Sequence, residues 1–243
     1  MSGHSKWHNI QGKKGKADKA RSNVFTKLAR MITITAREGG GDPVMNFSLR
    51  LSIDKAKAAN MPKENIERAI KKGIGEDDGA KLEEVMYEGY GPSGVAFLVE
   101  TLTDNINRTV SEVKNVISKR GGSLGAAGSV KWMFNRLGVV RLDESQKSKV
   151  QSQKSEFELE LMDAGINEMN DSEFGLEITC PVESFQKVLE VVKKYELEPE
   201  SSGLEWVAKE LVTLDEETSN KVSELYDELD DLDDVREVYT NEA

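Results

Sequence analysis

The sequence contains few of the residues from which catalytic and metal sites are usually built. It has one cysteine, Cys180, and two histidines, His4 and His8, among 243 residues. A single thiol forms no internal disulfide, and two imidazoles without a thiol or carboxylate beside them make a poor zinc site. We therefore expect no metal and no other cofactor.

Long apolar runs are also missing, and this bears on localisation. No stretch of the sequence is apolar enough to span a bilayer, and the opening segment is polar and basic. A lone thiol suits a reducing compartment. We expect a cytoplasmic protein with no membrane partner.

The pattern around the remaining nucleophiles argues against catalysis. Cys180 ends an apolar strand-like segment and precedes Pro181, which is typical of a small buried residue. Both histidines lie in the opening segment, so a serine or cysteine nucleophile has no obvious base. The sequence predicts a protein that is not an enzyme, with no catalytic residues and no small-molecule substrate.

Charge is distributed very unevenly along the chain. The net charge is -11, which by itself disfavours a polyanionic partner. However, residues 1–72, here called the head, contain 16 basic and 6 acidic residues and carry +10. The body, residues 73–243, has 17 basic and 38 acidic residues and carries -21. This asymmetry indicates that the head faces a nucleic acid.

Helical periodicity runs through the head. A first helix begins at Asp18 and stops at Gly39–Gly41. Its predicted apolar face consists of Val24, Leu28, Met31, Ile32 and Thr35.

Two further helices follow in the head. Asp42 and Pro43 resemble an N-cap and first helical residue of a helix that contains Phe47 and Leu51 and ends near Asn60. The third helix starts after Pro62, carries Ile66, Ala69 and Ile70 on one face, and has Gly73 as its predicted C-cap.

Beyond a glycine-rich and acidic linker, strands alternate with helices. A hairpin of Val85–Tyr90 and Val95–Thr103 is predicted from the turn residues between them, followed by a helix at Asn105–Lys119. Residues 138–205 then show a β-α-β-β-α-β order, which is ferredoxin-like. The predicted elements from there to the end are strands Val130–Phe134, Gly138–Leu142, Ile166–Met169, Gly175–Cys180, Leu204–Val212 and Val235–Tyr239, and helices Phe157–Ala164, Val182–Tyr195 and Asp215–Asp231.

These elements predict an α+β protein. Its parts are an N-terminal three-helix domain and two α/β domains of ferredoxin-like type, the third inserted into the second. The predicted boundaries are residues 1–80 for the helical domain, 81–135 with 205–243 for the discontinuous domain, and 136–204 for the inserted one. The last strand needs a sheet to join, and the hairpin is the simplest partner.

Several long motifs point to a known family. The segments GHSKWHNIQGKKGKADKARSNVFTKLARMI, MPKENIERAIKKG, YEGYGPSGVAFLVETLTDN and GGSLGAAGSVKWMF together resemble the YebC/PmpR family, which includes the mitochondrial translational activator of cytochrome c oxidase. The resemblance covers nearly the whole chain and implies the same three-domain fold. It also implies a regulator of gene expression: bacterial members are described as probable DNA-binding transcriptional regulators, mitochondrial relatives act in translation, and some bacterial members resemble ribosome-associated factors that help synthesis through proline-rich stretches.

The strongest candidate site is the basic arm, residues 1–21, together with the first helix. Lysine and arginine supply phosphate contacts, and the rings of Trp7 and His8 offer surfaces on which an exposed base stacks. The alternative is a solvated arm with Trp7 folded onto the bundle. The predicted binding residues are Lys6, Trp7, His8, Lys13, Lys14, Lys16, Lys19, Arg21, Lys27 and Arg30, with Arg37 further along.

Two other segments attract attention. The run Gly121–Ser129 favours a flexible turn, although its backbone amides could approach a phosphate. The acidic run Leu225–Asp234 has leucines at helical spacing and predicts an amphipathic helix with a solvated acidic face that repels phosphate.

Three functions remain open from the sequence. The first is a nucleic-acid-binding regulator that contacts DNA. The second is a translation factor that binds ribosomal RNA and so associates with the ribosome. The third is a protein–protein adaptor whose acidic domains bind a basic partner.

Overall fold

The computed structural model describes residues 19–75, 82–150, 153–172 and 175–243, with the side chains of the first helix described from Val24 onward. Within these residues, helices come first and two antiparallel four-stranded sheets with helices follow, which confirms the α+β class. The helices are α1 (Lys19–Gly39), α2 (Phe47–Ala58), α3 (Lys63–Gly73), α4 (Ile106–Lys119), α5 (Glu144–Lys149), α6 (Lys154–Ala164), α7 (Phe185–Lys194) and α8 (Glu216–Asp230). The strands are β1 (Glu83–Tyr90), β2 (Ala96–Thr103), β3 (Ser123–Leu124), β4 (Phe134–Asp143), β5 (Glu168–Ser172), β6 (Gly175–Cys180), β7 (Ser201–Ala208) and β8 (Val235–Thr240).

The three predicted helices of the head pack around one apolar core. Leu28, Ile32 and Ala36 recur every four residues and form a buried stripe on α1. Val24, which the periodicity assigns to this face, is 40% exposed because the buried stripe begins one turn later. The partners of the stripe on α2 and α3 are Leu49, Ile53, Ala56, Ile66 and Ala69.

The start of α2 differs from the prediction. Residues 43–45 form a turn in which Asp42 Oδ1 accepts a hydrogen bond from the amide of Val44. The N-cap is instead Asn46, whose Oδ1 accepts from Leu49 N at 3.0 Å. Its Nδ2 also donates to the carbonyls of Thr35 and Gly40 at the end of α1. Asn46 therefore caps two helix ends at once, which the carboxylate of Asp42 has no donor to do.

Gly73 was predicted as a C-cap and proves to have a different role. It belongs to α3, and the left-handed residue lies further on, at Gly75 with φ 84°. A β-carbon at Gly73 would lie 2.4 Å from the carbonyl oxygen of Thr33 and 2.7 Å from Ala36 Cβ. Gly73 is therefore the residue that lets α3 approach α1 closely.

The first sheet has the order β3-β1-β2-β8. The predicted hairpin is present, with β1 and β2 antiparallel from Glu83 opposite Thr103 to Tyr90 opposite Ala96. The tail strand β8 pairs with β2, which confirms that it joins the hairpin. The helices α4 and α8 cover one face of this sheet, and the core between them contains Phe97, Val99, Val113, Ile117, Leu225 and Leu229.

The second sheet has the order β5-β6-β4-β7 with every neighbouring pair antiparallel. Together with α6 and α7 this is the predicted ferredoxin-like order. The strand predicted at 138–142 is confirmed as part of β4, which begins earlier, at Phe134. The separate strand predicted at 130–134 is wrong, because a 3₁₀ turn at Lys131–Met133 leads directly into β4. Asn135 and Arg136, which lie between the two predicted strands, are paired with Val207 and Trp206 of β7.

Smaller boundary errors have similar causes. Helix α5 was not predicted, because its six residues are polar and the helix is too short to show periodicity. Its N-cap is Asp143, whose Oδ1 accepts a hydrogen bond from Gln146 N. The strand predicted at 166–169 begins two residues later, and the one predicted at 204–212 runs from Ser201 to Ala208. The helix predicted from Val182 opens with a 3₁₀ turn before α7.

Two compact units divide the described residues. One runs from Met133 to Val212, and the other contains the described residues before it together with Thr213–Glu242. The head and the first sheet thus share a unit, where Ile34 of α1 contacts Leu82 and Leu102. The division into three domains with boundaries at 80, 135 and 204 stays a prediction. None of the helices in the described ranges is both long and apolar enough to cross a membrane.

The close approach at Gly73 yields a test. Replacing an exposed glycine in a helix with alanine usually stabilises a protein by about 1 kcal/mol. At Gly73, however, the new methyl group would overlap the backbone of α1. We expect Gly73→Ala to lower the free energy of unfolding by about 1–3 kcal/mol in urea denaturation. Lys71→Ala, an exposed change on the same helix, should alter it by less than about 0.5 kcal/mol. Stabilisation by Gly73→Ala would contradict the packing described.

Candidate nucleic-acid interface

The predicted binding residues fall into three groups. Lys6, Trp7, His8, Lys13, Lys14 and Lys16 lie outside the described residues. Lys19 and Arg21 belong to the first turn of α1 by their backbone, and their side chains are not described. Lys27, Arg30 and Arg37 are described in full. A nucleic-acid role for each of these residues stays a prediction.

Lys27 and Arg30 lie one turn apart on α1 and contact the acidic segment after α8. Lys27 Nζ donates to the carbonyl oxygen of Asp230 and lies 3.4 Å from its Oδ1. Arg30 Nη1 donates to the carbonyl oxygen of Asp233 at 2.7 Å and to Asp234 Oδ1 at 2.6 Å. The side chains are only 15% and 22% exposed. A phosphate that used these two cations would compete with acceptors of the protein itself.

Asp234 is the centre of this contact. Its residue is 2% exposed, and its Oδ1 accepts from Arg30. Its Oδ2 accepts from Arg108 Nη2 at 2.7 Å, Thr109 Oγ1 at 2.7 Å and Thr103 Oγ1 at 3.0 Å. One carboxylate therefore joins α1, the end of β2, the start of α4 and the residue before β8. The solvated acidic face predicted for this segment is wrong at Asp234.

Electrostatics at Asp234 favour the charged form. Burial by itself would raise the pKa of the carboxyl, but the hydrogen bonds from Arg108, Thr109 and Thr103 and the charge of Arg30 outweigh it. The pKa of Asp234 is therefore below its ordinary value of 3.8. The carboxylate is ionised at neutral pH and holds both guanidinium groups.

The rest of the head presents cations to solvent. Lys57 Nζ lies 3.7 Å from Asp54 Oδ1, and Lys63 Nζ lies 3.6 Å from Glu67 Oε1. Both ion pairs are exposed and contribute little to stability. Other cations of α1, α2 and α3 have no ion pair within the part of the chain that the structure describes. They are Arg37, Lys55, Arg68, Lys71 and Lys72.

The glycine-rich run Gly121–Ser129 is not an open anion site. The Glu88 carboxylate, in a residue only 5% exposed, accepts hydrogen bonds from the amides of Gly128, Val130 and Lys131 at 2.6–2.8 Å. Burial alone would raise the pKa of Glu88, but these amides and the charge of Lys131 lower it below its ordinary value. The protein's own carboxylate thus binds the amide of Gly128 within the run and the two amides that directly follow it, at Val130 and Lys131, and it fixes the end of a loop predicted to be flexible.

The described residues also bear on catalysis and metal binding. Cys180 is buried, as predicted, and burial raises the pKa of its thiol to about 11. The thiol is therefore protonated at neutral pH and is a poor nucleophile. A search of the described residues finds no group of three or more His, Cys, Asp or Glu side chains placed to hold a metal ion.

The sequence matches the models of a known protein family. A model of the TACO1/YebC protein N-terminal domain matches residues 5–76, and a model of the TACO1/YebC second and third domain matches residues 82–242. The chain belongs to the TACO1/YebC family. The first match covers the helices of the head, and the second covers both sheets of the body.

Relatives of known sequence or structure share the full length. The probable transcriptional regulatory protein FN1661 of Fusobacterium nucleatum is 46% identical over 99% of this chain and 95% of its own. A probable transcriptional regulatory protein of Maridesulfovibrio salexigens is 48% identical over the same shares. The crystal structure of the conserved hypothetical protein Aq1575 from Aquifex aeolicus is 41% identical, with a TM-score of 0.83, and the match covers 95% of this chain and 93% of that one. The names of the two sequence relatives support a family of regulators.

Sequence reasoning missed the residues that hold the head in place. Asp234 stands in a run of acidic residues, and residue type alone does not distinguish it from Asp231 or Asp233. Arg108 follows an N-cap and resembles any exposed helical cation. The single usable signal is that Asp234 directly precedes an apolar strand, where a charged side chain needs a partner.

The Asp234 contact predicts a large effect from a small change. Asp234→Asn keeps the shape but removes the charge that Arg30 and Arg108 share, so the free energy of unfolding at neutral pH should fall by about 2–3 kcal/mol. Asp231→Asn makes the same charge change three residues away on an exposed side chain, and it should cost less than about 0.5 kcal/mol. Denaturant unfolding of the three proteins measures both effects.

The same comparison has a pH dependence of known sign. Folding lowers the pKa of Asp234 below 3.8, its value in the unfolded chain. The ionised carboxylate therefore stabilises the folded protein fully above about pH 3.8, and this stabilisation is lost as the pH falls through the pKa of the folded state. The difference in the free energy of unfolding between wild type and Asp234→Asn should become smaller when the pH is lowered from about 7 to about 3. A gap that stays constant would show that Asp234 acts through shape and not through charge.

Proposed function

We propose that this protein is a non-enzymatic regulator of gene expression that binds nucleic acid through its head. The observation that carries the proposal is the charge asymmetry, +10 in residues 1–72 against -21 in the remainder. Binding to a phosphate backbone is driven by lysine and arginine that release counterions, so the head is the part suited to it. Two full-length relatives, from Fusobacterium nucleatum and Maridesulfovibrio salexigens, are named probable transcriptional regulatory proteins, which supports a role in regulation.

The contacts of the head refine which cations take part. Lys27 and Arg30 hold the head against the acidic segment at Asp230–Asp234, so the phosphate contacts fall mainly to the basic arm and to the exposed cations of α2 and α3. The body then serves as an acidic surface that directs the polymer toward the head. A protonated, buried Cys180 supports a role without catalysis.

The first candidate polymer is DNA at promoters, in a transcriptional regulator of the cytoplasm. The second is ribosomal RNA, in a translation factor that helps synthesis through proline-rich stretches. The pairing of Trp7 with lysines in the arm favours an exposed base, which single-stranded RNA offers more readily than duplex DNA.

Crosslinking of bound nucleic acid in cells, followed by sequencing, tests the proposal. Wild type is compared with a variant carrying Lys13→Glu, Lys14→Glu and Lys16→Glu, and with a control carrying Lys187→Glu, Lys193→Glu and Lys209→Glu on exposed sites of the body. We expect recovery from wild type and control, and a loss of about tenfold or more in the arm variant, because three phosphate contacts become repulsive.

The recovered sequences decide between the candidates. Discrete promoter DNA makes the protein a transcriptional regulator, and one site in ribosomal RNA makes it a translation factor. Equal, weak recovery from all three proteins would overturn the basic-head proposal. It would favour the protein–protein adaptor, which should also keep its activity when residues 1–21 are deleted.

A further inference from the structure

A cavity of about 580 Å³ opens between α1 and α3 in the head. Its α1 wall contains Phe25, Ala29 and Thr33, which recur every four residues on one face. Its α3 wall contains Asn65, Arg68 and Lys72, which also share a face. The volume falls within the about 300–1,000 Å³ typical of small-ligand sites.

The charges of this groove leave two cations unpaired. Of the four charged residues that line it, Arg30 is bound to Asp234, and Asp104 is bound to Arg108 at 2.9 Å. Arg68 and Lys72 have no ion pair among the described residues. They stand one turn apart on α3, so one phosphate group can contact both.

Apolar side chains also line the groove. Phe25 is half-buried and Met61 is buried, so an aromatic ring and a thioether lie within the same cavity as the two cations. Asn65, which is half-buried, lines the same groove and adds an amide with both a donor and an acceptor. Flat apolar surface, a polar amide and paired cations are the groups that recognise a base, its edge and its phosphate.

We propose that this groove holds one unstacked nucleotide of a single-stranded nucleic acid, with its phosphate on Arg68 and Lys72 and its base against Phe25. The inference rests on the proposed function and gives it a specific site, since the predicted binding residues of the arm do not include these three. The groove selects single strands, because a base within a duplex is stacked on its neighbours and cannot enter.

The test measures binding of the full chain to labelled twelve-nucleotide single strands of RNA and of DNA, to a DNA strand of the same length without bases, and to a duplex. The groove variant carries Arg68→Glu and Lys72→Glu. Its control carries Lys187→Glu and Lys193→Glu, which make the same charge change on exposed sites of the body. We expect the groove variant to bind both base-containing strands about tenfold or more weakly and the control to lose less than about threefold.

A second variant separates the base from the phosphate. Phe25→Leu keeps an apolar side chain but removes the ring, so it should weaken binding of base-containing strands about fivefold or more. It should leave the strand without bases and the duplex within about twofold of wild type, because neither can place a base on the ring. Melting temperatures of all variants show that they are folded, and the milder Lys72→Gln replaces the double variant if it is not.

The outcomes separate the groove from the wider proposal. Wild type that binds none of the nucleic acids would overturn both. Wild type that binds while the groove variant loses no more affinity than its control would overturn the groove alone and leave the basic head in place. Equal weakening of every ligand by Phe25→Leu would also overturn it, since the ring would then act only through the fold.

Discussion

The buried carboxylate of Asp234 is the interaction on which the arrangement of the head depends. It accepts hydrogen bonds from Arg30 of α1, Arg108 of α4 and two threonines at the start of that helix and the end of β2. Burying a carboxylate without hydrogen-bond donors would destabilise the folded protein, so all of these donors must lie around Asp234 when the chain is folded. The head is thereby attached to the first sheet by a charge that three separate segments satisfy.

This attachment shapes what the basic head can do. Lys27 and Arg30 bind the backbone and carboxylates of Asp230–Asp234 in the way that they would bind phosphates. The acidic end of α8 therefore neutralises part of the positive surface and leaves the arm, α2 and α3 to bind a polymer. Glu88 is a second example, because its buried carboxylate accepts hydrogen bonds from amides at the end of the glycine-rich loop. In both places the protein supplies its own anion.

Local patterns predicted much of the fold. The spacing of Leu28, Met31, Ile32 and Thr35 predicts α1, the turn residues around Gly91–Gly94 predict the hairpin, and the β-α-β-β-α-β order predicts the second sheet. Boundaries were less predictable where two residues suit the same role, as at Asp42 and Asn46, because the choice depends on carbonyls of a different helix. Gly73 shows the same limit, since only the position of α1 reveals why it lacks a side chain.

The candidate site was predictable in part. The cationic composition of the head is visible in the sequence, but the pairing of those cations is not, because Lys27 and Asp230 are about 200 residues apart. Arg68 and Phe25 likewise belong to different helices, and no spacing along the chain suggests that they share a groove. Charge counts indicate which part of a chain binds nucleic acid, whereas the choice of residues depends on long-range ion pairs.

The claim that the head binds through its lysines is tested most directly by the salt dependence of binding. The affinity of the full chain for a single strand is measured at increasing salt for wild type and for a variant with Lys13→Gln, Lys14→Gln and Lys16→Gln. The account predicts that log K falls linearly with log salt, and that the slope becomes shallower by about 2 in the variant as three phosphate contacts are lost. Identical slopes, or affinity that does not respond to salt, would contradict it.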